Sequence, residues 1–220
     1  MIRVLAGLML LLAYVLPAAR VLEQVAAHRA KAPALRVEAR LEGIGEGWPE
    51  HVVLELHPKL GCRVSDGRGA RWLLRDGRVQ AGTHLPAPPW LPELDVLIAP
   101  DVAGLTRLLG ELGIDVARNE LGRCGGQDCF VLGGRSGAAQ LWLDKDSFEV
   151  VELRLTDGRR IEFAAPRTWS GTRFPGEIRI HDEWGKIATL SVEAAGPATD
   201  LRAEDFSRRW VEVAPAAAGP

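Results

Sequence analysis

Reactive side chains are scarce in this chain, and those present stand apart. The histidines His28, His51, His57, His84 and His181 fall in no metal-ligand spacing, and neither His51 nor His57 has a partnering cysteine or carboxylate pattern. No Gly-x-Ser-x-Gly occurs. Gly133-Gly-Arg-Ser-Gly137 precedes no helix and reads as a hairpin turn, not a phosphate cradle. Asp182-Glu183 beside His181 reads as surface charge at a turn edge. These absences argue against an enzyme: no catalytic residue, no metal site and no cofactor is expected.

Net charge is equally uninformative as an attractant. A formal charge of -2 gives no electrostatic case for nucleic acid or for anionic lipid. Basic residues recur at Arg154, Arg159, Arg160, Arg167 and Arg173, but acidic ones interleave with them, as on a solvated sheet face. Aromatics make up 6% of the chain, with seven Trp against one Tyr, a skew without a cause legible in the sequence. Cysteines number three, which is odd for an exported chain. Cys124 and Cys129 bracket Gly-Gly-Gln-Asp in an expected hairpin, where facing residues approach disulfide distance, so a bridge is expected there. It would add at most roughly 2–3 kcal/mol because its loop is so short. Cys62, in an expected strand, reads as a small core residue.

Export is suggested by the start of the chain. Met1-Ile2-Arg3 precedes an apolar run from Val4 to Leu16 ending in Pro17-Ala-Ala19, the pattern of a signal peptide over residues 1–19. The run is shorter than the roughly 20 residues a membrane span needs. An uncleaved inner-membrane anchor facing the periplasm is the other reading. No cysteine near residue 20 is available for lipidation. Composition beyond it, with 47% apolar and 25% charged residues in the whole chain, suits one folded domain over residues 20–213, followed by an Ala/Pro tail at 214–220.

What fills that domain is alternation. After a helix around Val21–Ala30, Leu35-Arg-Val-Glu-Ala-Arg-Leu41 places Leu35, Val37, Ala39 and Leu41 on one face. His51-Val-Val-Leu-Glu-Leu-His57 and Ala70-Arg-Trp-Leu-Leu74 follow, with turns at Ser65-Asp-Gly67 and Arg75-Asp-Gly77 between strands. From Ala139 to Val213 the pattern returns in Gln140–Asp144, Val150–Leu155, Arg160–Ala164, Glu177–His181 and Ala188–Glu193. One wet and one greasy face is the mark of an antiparallel sheet.

The middle of the chain breaks this pattern. Leu85-Pro-Ala-Pro-Pro-Trp-Leu-Pro92 cannot pair inside a sheet, and a helical insert about 90–113 follows, capped by Asp101 and ended by Gly113. Leu105, Leu108, Leu109 and Leu112 share one face of it and need an apolar partner. A linker between two domains is the alternative for the proline segment.

These motifs in this order resemble the periplasmic outer-membrane lipoprotein carrier, or LolA-like, superfamily. The resemblance rests on Leu56-His-Pro-Lys-Leu-Gly-Cys-Arg63 with Ser65-Asp-Gly67, the insert ending in Gly113-Ile-Asp-Val116, Leu141-Trp-Leu-Asp144, Val151–Leu155, Gly171-Thr-Arg-Phe-Pro175, Ile178–Ile180 and Leu201-Arg-Ala-Glu-Asp-Phe206. It spans nearly the whole mature chain and implies a mainly β (α+β) fold, a curved antiparallel sheet of about ten strands forming an unclosed half-barrel with helices over its concave apolar face. The implied function is a periplasmic lipid or lipoprotein carrier, a monomer that takes acyl chains between inner- and outer-membrane transfer proteins. The implied trough is lined by Leu35, Val37, Leu54, Leu56, Leu141, Leu143, Val151, Leu153, Leu155, Ile178 and Ile180, under a lid carrying Leu105, Leu108, Leu109 and Leu112. The classical carriers hold their lid through an arginine just before the motif's proline; here His57 takes that place and is expected to contact the lid. A regulatory or protein-binding module of the same fold, its concavity filled by its own helices, is the alternative.

Overall fold

The computed structural model describes residues 15–43, 49–83, 87–88, 90–99, 101–135 and 137–212. Residues 1–14 of the expected export segment and the whole Ala/Pro tail lie outside these residues. Alternating stretches form strands β1 (Leu35–Glu42), β2 (His51–His57), β3 (Gly61–Ser65), β4 (Arg71–Arg75) and β5 (Arg78–Gly82), then, after the insert, β6 (Asn119–Cys124), β7 (Gln127–Gly133), β8 (Gln140–Asp144), β9 (Val150–Arg154), β10 (Arg160–Ala164), β13 (Glu177–Asp182) and β14 (Gly185–Pro197). A ribbon of β11 (Arg167–Trp169) and β12 (Thr172–Phe174) projects between β10 and β13.

Among the described residues, twelve strands form one antiparallel sheet in the order β5-β4-β3-β2-β1-β14-β13-β10-β9-β8-β7-β6. The chain therefore meanders from the centre to one edge at β5, crosses to the opposite edge at β6, and meanders back to pair β14 with β1. The two edges do not pair with each other, so the half-barrel stays open. The crossing is made by the insert, which is why a proline-rich, helical segment interrupts the strands.

Registry explains the greasy face. Leu35, Leu56, Cys62 and Leu74 stand opposite one another across β1 to β4, and Ile180, Ile161, Leu153, Leu141 and Leu132 do so from β13 to β7. Burial of such side chains stabilises by roughly 1.5–3 kcal/mol each. Helix α1 (Ala18–Arg29) lays Val21, Leu22 and Val25 on this face, and α2 (Val102–Glu111) lays Leu105, Leu108 and Leu109 beside it; the two helices touch. Asp101 caps α2, its Oδ1 accepting the Gly104 N–H at 2.7 Å, and Gly113 at φ 77 ends it, with the Ile114 N–H reaching Leu109 O at 2.9 Å. Leu16 also packs against the core, and its carbonyl accepts from Asn119 Nδ2.

The convex side has its own cover. Beyond β14, a 3-10 turn over Ala203–Phe206 and helix α3 (Arg208–Glu212) lay Phe206, Trp210 and Val211 over Leu73. The opposite register Arg36↔Glu55↔Arg63 runs beneath them, an arrangement the pattern of β2 and β3 conceals because Glu55 and Arg63 are buried while charged.

The expected Cys124–Cys129 disulfide is not formed: both thiols are free, as is Cys62. The turn consists of Gly125 and Gly126 alone, so Cys124 pairs with Gln127 and Cys129 with Gly122. The two cysteines are diagonal neighbours, not opposite ones. Their sulfurs turn to different partners, Glu152 Oε2 at 3.6 Å from Cys124 and Gln127 O at 3.7 Å from Cys129.

Candidate functional site

At one end of the concave face the helices and strands do not close on each other. They enclose a cavity of about 260 Å³ between the last turn of α1, the insert, the β8–β9 turn and the ribbon. Val25, Leu35, Leu56, Leu97, Ile98, Phe148, Val150, Phe163 and Phe174 supply its apolar wall, and exposed His28, Ala32 and Arg173 mark its rim. Each wall residue has a local reason to be there. Leu35 begins β1 and Leu56 lies opposite it on β2. A bulge between Trp142 and Leu143 places Val150 opposite Leu143, so that Val150 is buried and the expected Val151 becomes the extra residue of the bulged strand, still on the cavity wall.

Phe148 sits in the left-handed region at φ 57, an unfavourable backbone for an aromatic residue. The turn that holds it there is overdetermined. Asp144 Oδ1 accepts from the N–H groups of Asp146 and Ser147 and from Ser147 Oγ, which keeps its carboxyl below the usual carboxylate range despite partial burial. Phe148 stacks on Phe130 at 5.7 Å, and His28 meets its edge at 5.8 Å while His28 Nδ1 lies 3.0 Å from Ser147 O. Helix α1 is thereby tied to the β8–β9 turn across the cavity mouth.

The insert is pinned at both sides of the sheet. Its first turn, a 3-10 helix over Pro92–Leu97, sends Glu93 to Arg159 in the β9–β10 turn at 3.0 Å and Asp95 to the Gly77 N–H in the β4–β5 turn at 2.6 Å. Helix α2 adds ion pairs from Arg107 to Asp76 and from Glu111 to Arg78, the latter at 3.6 Å. Gly77, at φ 68, leaves room for Leu108, whose Cδ1 would lie 2.7 Å from a Cβ at that position. These contacts hold the insert in place; the exposed ion pairs of α2 contribute no more than about 1 kcal/mol each.

Burial raises the Asp95 carboxyl to about 6, against the opposing effect of its hydrogen bond from Gly77, with the Asp76 charge raising it further. Lys59, Arg75, Asp101 and Arg107 line the same hollow of about 270 Å³. Burial raises Glu93 in the same direction, opposed by Arg159. The folded protein thus holds a proton on Asp95 more tightly than the unfolded chain does, so this group favours folding most below about pH 4 and progressively less up to about pH 6. Asp95→Asn, whose amide oxygen still accepts from Gly77, is expected to be more stable than the parent at pH 7 by up to about 3 kcal/mol, with the gap closing by pH 4. Urea midpoints of both proteins at pH 4, 5, 6 and 7 check this; a gap independent of pH contradicts it.

The residues named from the sequence divide among these places. Leu35, Leu56 and Val151 line the cavity. Val37, Leu54, Leu141, Leu143, Leu153, Ile178 and Ile180 are packed into the core beneath the helices, and Leu155 borders a separate hollow beside His181 and Trp184. Of the residues expected on a lid, Leu105, Leu108 and Leu109 are buried and Leu112 partly so. His57 follows Leu56 by one residue and so faces the convex side, where its ring meets the edge of Phe206 at 5.7 Å and its Nδ1 accepts from the Lys59 N–H. The contact expected with the lid is a contact with the C-terminal segment. Burial lowers the His57 pKa from the ordinary imidazole value. Phe148, Phe174 and Ile98 were not legible as site residues, because each lies at a turn or element end where periodicity stops; Phe163 lies within the alternating strand β10, and only the fold shows that it borders the cavity.

Among the described residues, no three His, Cys, Asp or Glu side chains gather as metal ligands. None of the described helices is long and apolar enough to cross a membrane. No protein-family model matches the chain, and no curated protein matches it. Solved structures do. A DUF1329-family protein from Desulfovibrio piger ATCC 29098 superposes with a TM-score of 0.50 at 10% identity, over 89% of this chain and 100% of that one. A LolA superfamily protein from Nitrosomonas europaea gives 0.47 at 16% identity, and an outer membrane lipoprotein-sorting protein domain described as putative, from Vibrio parahaemolyticus, gives 0.47 at 14%, each over 89% of this chain and 99% of the other. The class is an open antiparallel half-barrel like that of the DUF1329-family protein, and at 10% identity the likeness is one of fold.

Proposed function

We propose that this protein is a periplasmic carrier or binding protein that shelters acyl chains on its way between membranes, delivering lipid or lipoprotein toward the outer membrane with transfer proteins as its partners. The observation that carries this reading is the cavity itself: an apolar pocket opening to solvent at the end of a half-barrel whose floor is otherwise packed. At about 30 Å³ per water-sized group, about 260 Å³ accepts on the order of nine methylene-sized groups. Nine methylenes removed from water correspond to roughly 7 kcal/mol before the costs of association. A carrier needs affinity of this moderate kind, since cargo must also leave.

The packed remainder of the floor favours a second reading, a periplasmic module that binds another protein. Leu105 and Leu109 are fully buried against the strands, so most of the concavity is occupied by the protein's own helices. Native mass spectrometry of gently purified, exported protein distinguishes the two. Masses shifted by co-purifying acyl lipid are expected; a ligand-free protein that also fails to take up added dodecanoate refutes the carrier reading.

A further inference from the structure

Among the described residues, one cation lining the apolar cavity has no partner. Arg29 ends α1 and lines the cavity, and although the residue keeps some exposure, its Nη1 is closed off from solvent. Among the described residues its guanidinium makes no ion pair and no hydrogen bond, and burial alone lowers its pKa to about 10. It is still charged at neutral pH. A buried guanidinium with no acceptor is costly unless something neutralises it.

The neighbouring charges do not do so. Asp144 is engaged by its own turn, and Glu149 is paired with Arg173 at 2.7 Å. Arg173 is therefore neutralised at the rim, whereas Arg29, deeper in, is not. An apolar wall with one unmatched donor set is the arrangement that orients a ligand having an apolar body and an anionic end.

We infer that Arg29 receives the oxyanion headgroup, carboxylate or phosphate, of a single-chain amphiphile whose tail lies against Leu35, Leu56 and Phe148. A single chain fits because the cavity accepts on the order of nine methylene-sized groups, too few for a two- or three-chain anchor. This rests on the acyl-binding reading above and narrows it to one class of cargo.

Isothermal titration of the exported protein with dodecanoate, methyl dodecanoate and acetate tests it. The parent is expected to bind dodecanoate about tenfold or more tighter than the uncharged ester, since a charge-assisted hydrogen bond supplies that factor, and acetate far more weakly than either. Arg29→Gln is expected to bring acid and ester to nearly equal affinity, and Arg29→Lys to keep part of the preference. Should the glutamine variant fail to fold, the lysine variant and the acid-to-ester ratio of the parent still decide the matter. Equal affinity for acid and ester in the parent, or an unchanged preference in Arg29→Gln, overturns the role of Arg29 and leaves acyl binding standing. Binding of neither overturns acyl binding itself. Acetate bound as tightly as dodecanoate makes this a site for small free anions and overturns the amphiphile.

Discussion

Glu55→Ala is expected to cost about 3–5 kcal/mol of folding stability, more than a surface charge could. Glu55 lies between Arg36 and Arg63 on the convex face of β1, β2 and β3, where register places the three side chains in a row. Its Oε1 accepts from Arg36 Nε at 2.9 Å and its Oε2 pairs with Arg63 Nε, with side-chain exposures of 8% for Glu55 and 10% for Arg63. Arg63 in turn lies 4.9 Å from the centre of the Trp210 ring and 5.6 Å from that of Phe206, and donates to Asp205 O at 3.2 Å. Removing Glu55 leaves Arg63 charged beneath an aromatic cover, its remaining polar partners among the described residues being the Asp205 carbonyl and, at 3.5 Å, the Asp205 carboxylate. At a slope of about 2 kcal/mol/M, the urea midpoint should fall by roughly 2 M. Hydrogen exchange should also quicken first in the C-terminal segment that Arg63 holds down. Replacing both partners, as Glu55→Leu with Arg63→Met, is expected to recover most of the loss, because paired removal leaves no orphaned charge. A single-variant cost below about 1 kcal/mol would place the pair with ordinary surface bridges.

Ala32→Trp should abolish acyl binding while leaving the fold intact. Ala32 is exposed, follows the last turn of α1 and lines the cavity mouth, so a bulky side chain there can enter the pocket without displacing a core residue. An indole fills much of the space available to nine methylene-sized groups, and the loss of even five methylene contacts at about 0.8 kcal/mol each lowers affinity by roughly 1,000-fold. The thermal midpoint is expected to stay within a few degrees of the parent, since surface substitutions are usually within about 0.5 kcal/mol. Competition of the variant and parent for a fluorescent fatty acid gives the comparison. Undiminished binding by a folded Ala32→Trp protein would move the acyl site elsewhere.

The strands were legible because alternation is a local property: Leu35 to Leu41 reads the same in sequence and in space, and so do Glu177 to His181 and the capped helix from Asp101. Three features were not, each for a physical reason. The path of the insert across the half-barrel depends on which strands form the edges, which no window of residues reveals. The row Arg36, Glu55 and Arg63 looks like solvated charge until the C-terminal segment covers it. The cavity is bounded by residues at element ends, Arg29, Ile98, Phe148 and Phe174, where periodicity has stopped and position is set by turns and by a bulge. His57 shows the converse hazard, since the motif around Pro58 was recognisable while the side of the sheet on which its histidine falls was decided by strand parity.

The most direct test of acyl binding in the half-barrel is isotope-filtered NOE spectroscopy of the protein with uniformly ¹³C-labelled dodecanoate. Cross-peaks from chain methylenes to the methyl groups of Val25, Leu35, Leu56 and Ile98, and to the ring of Phe148, are predicted. Contacts confined to the exposed surface, or none at saturating ligand, would contradict it.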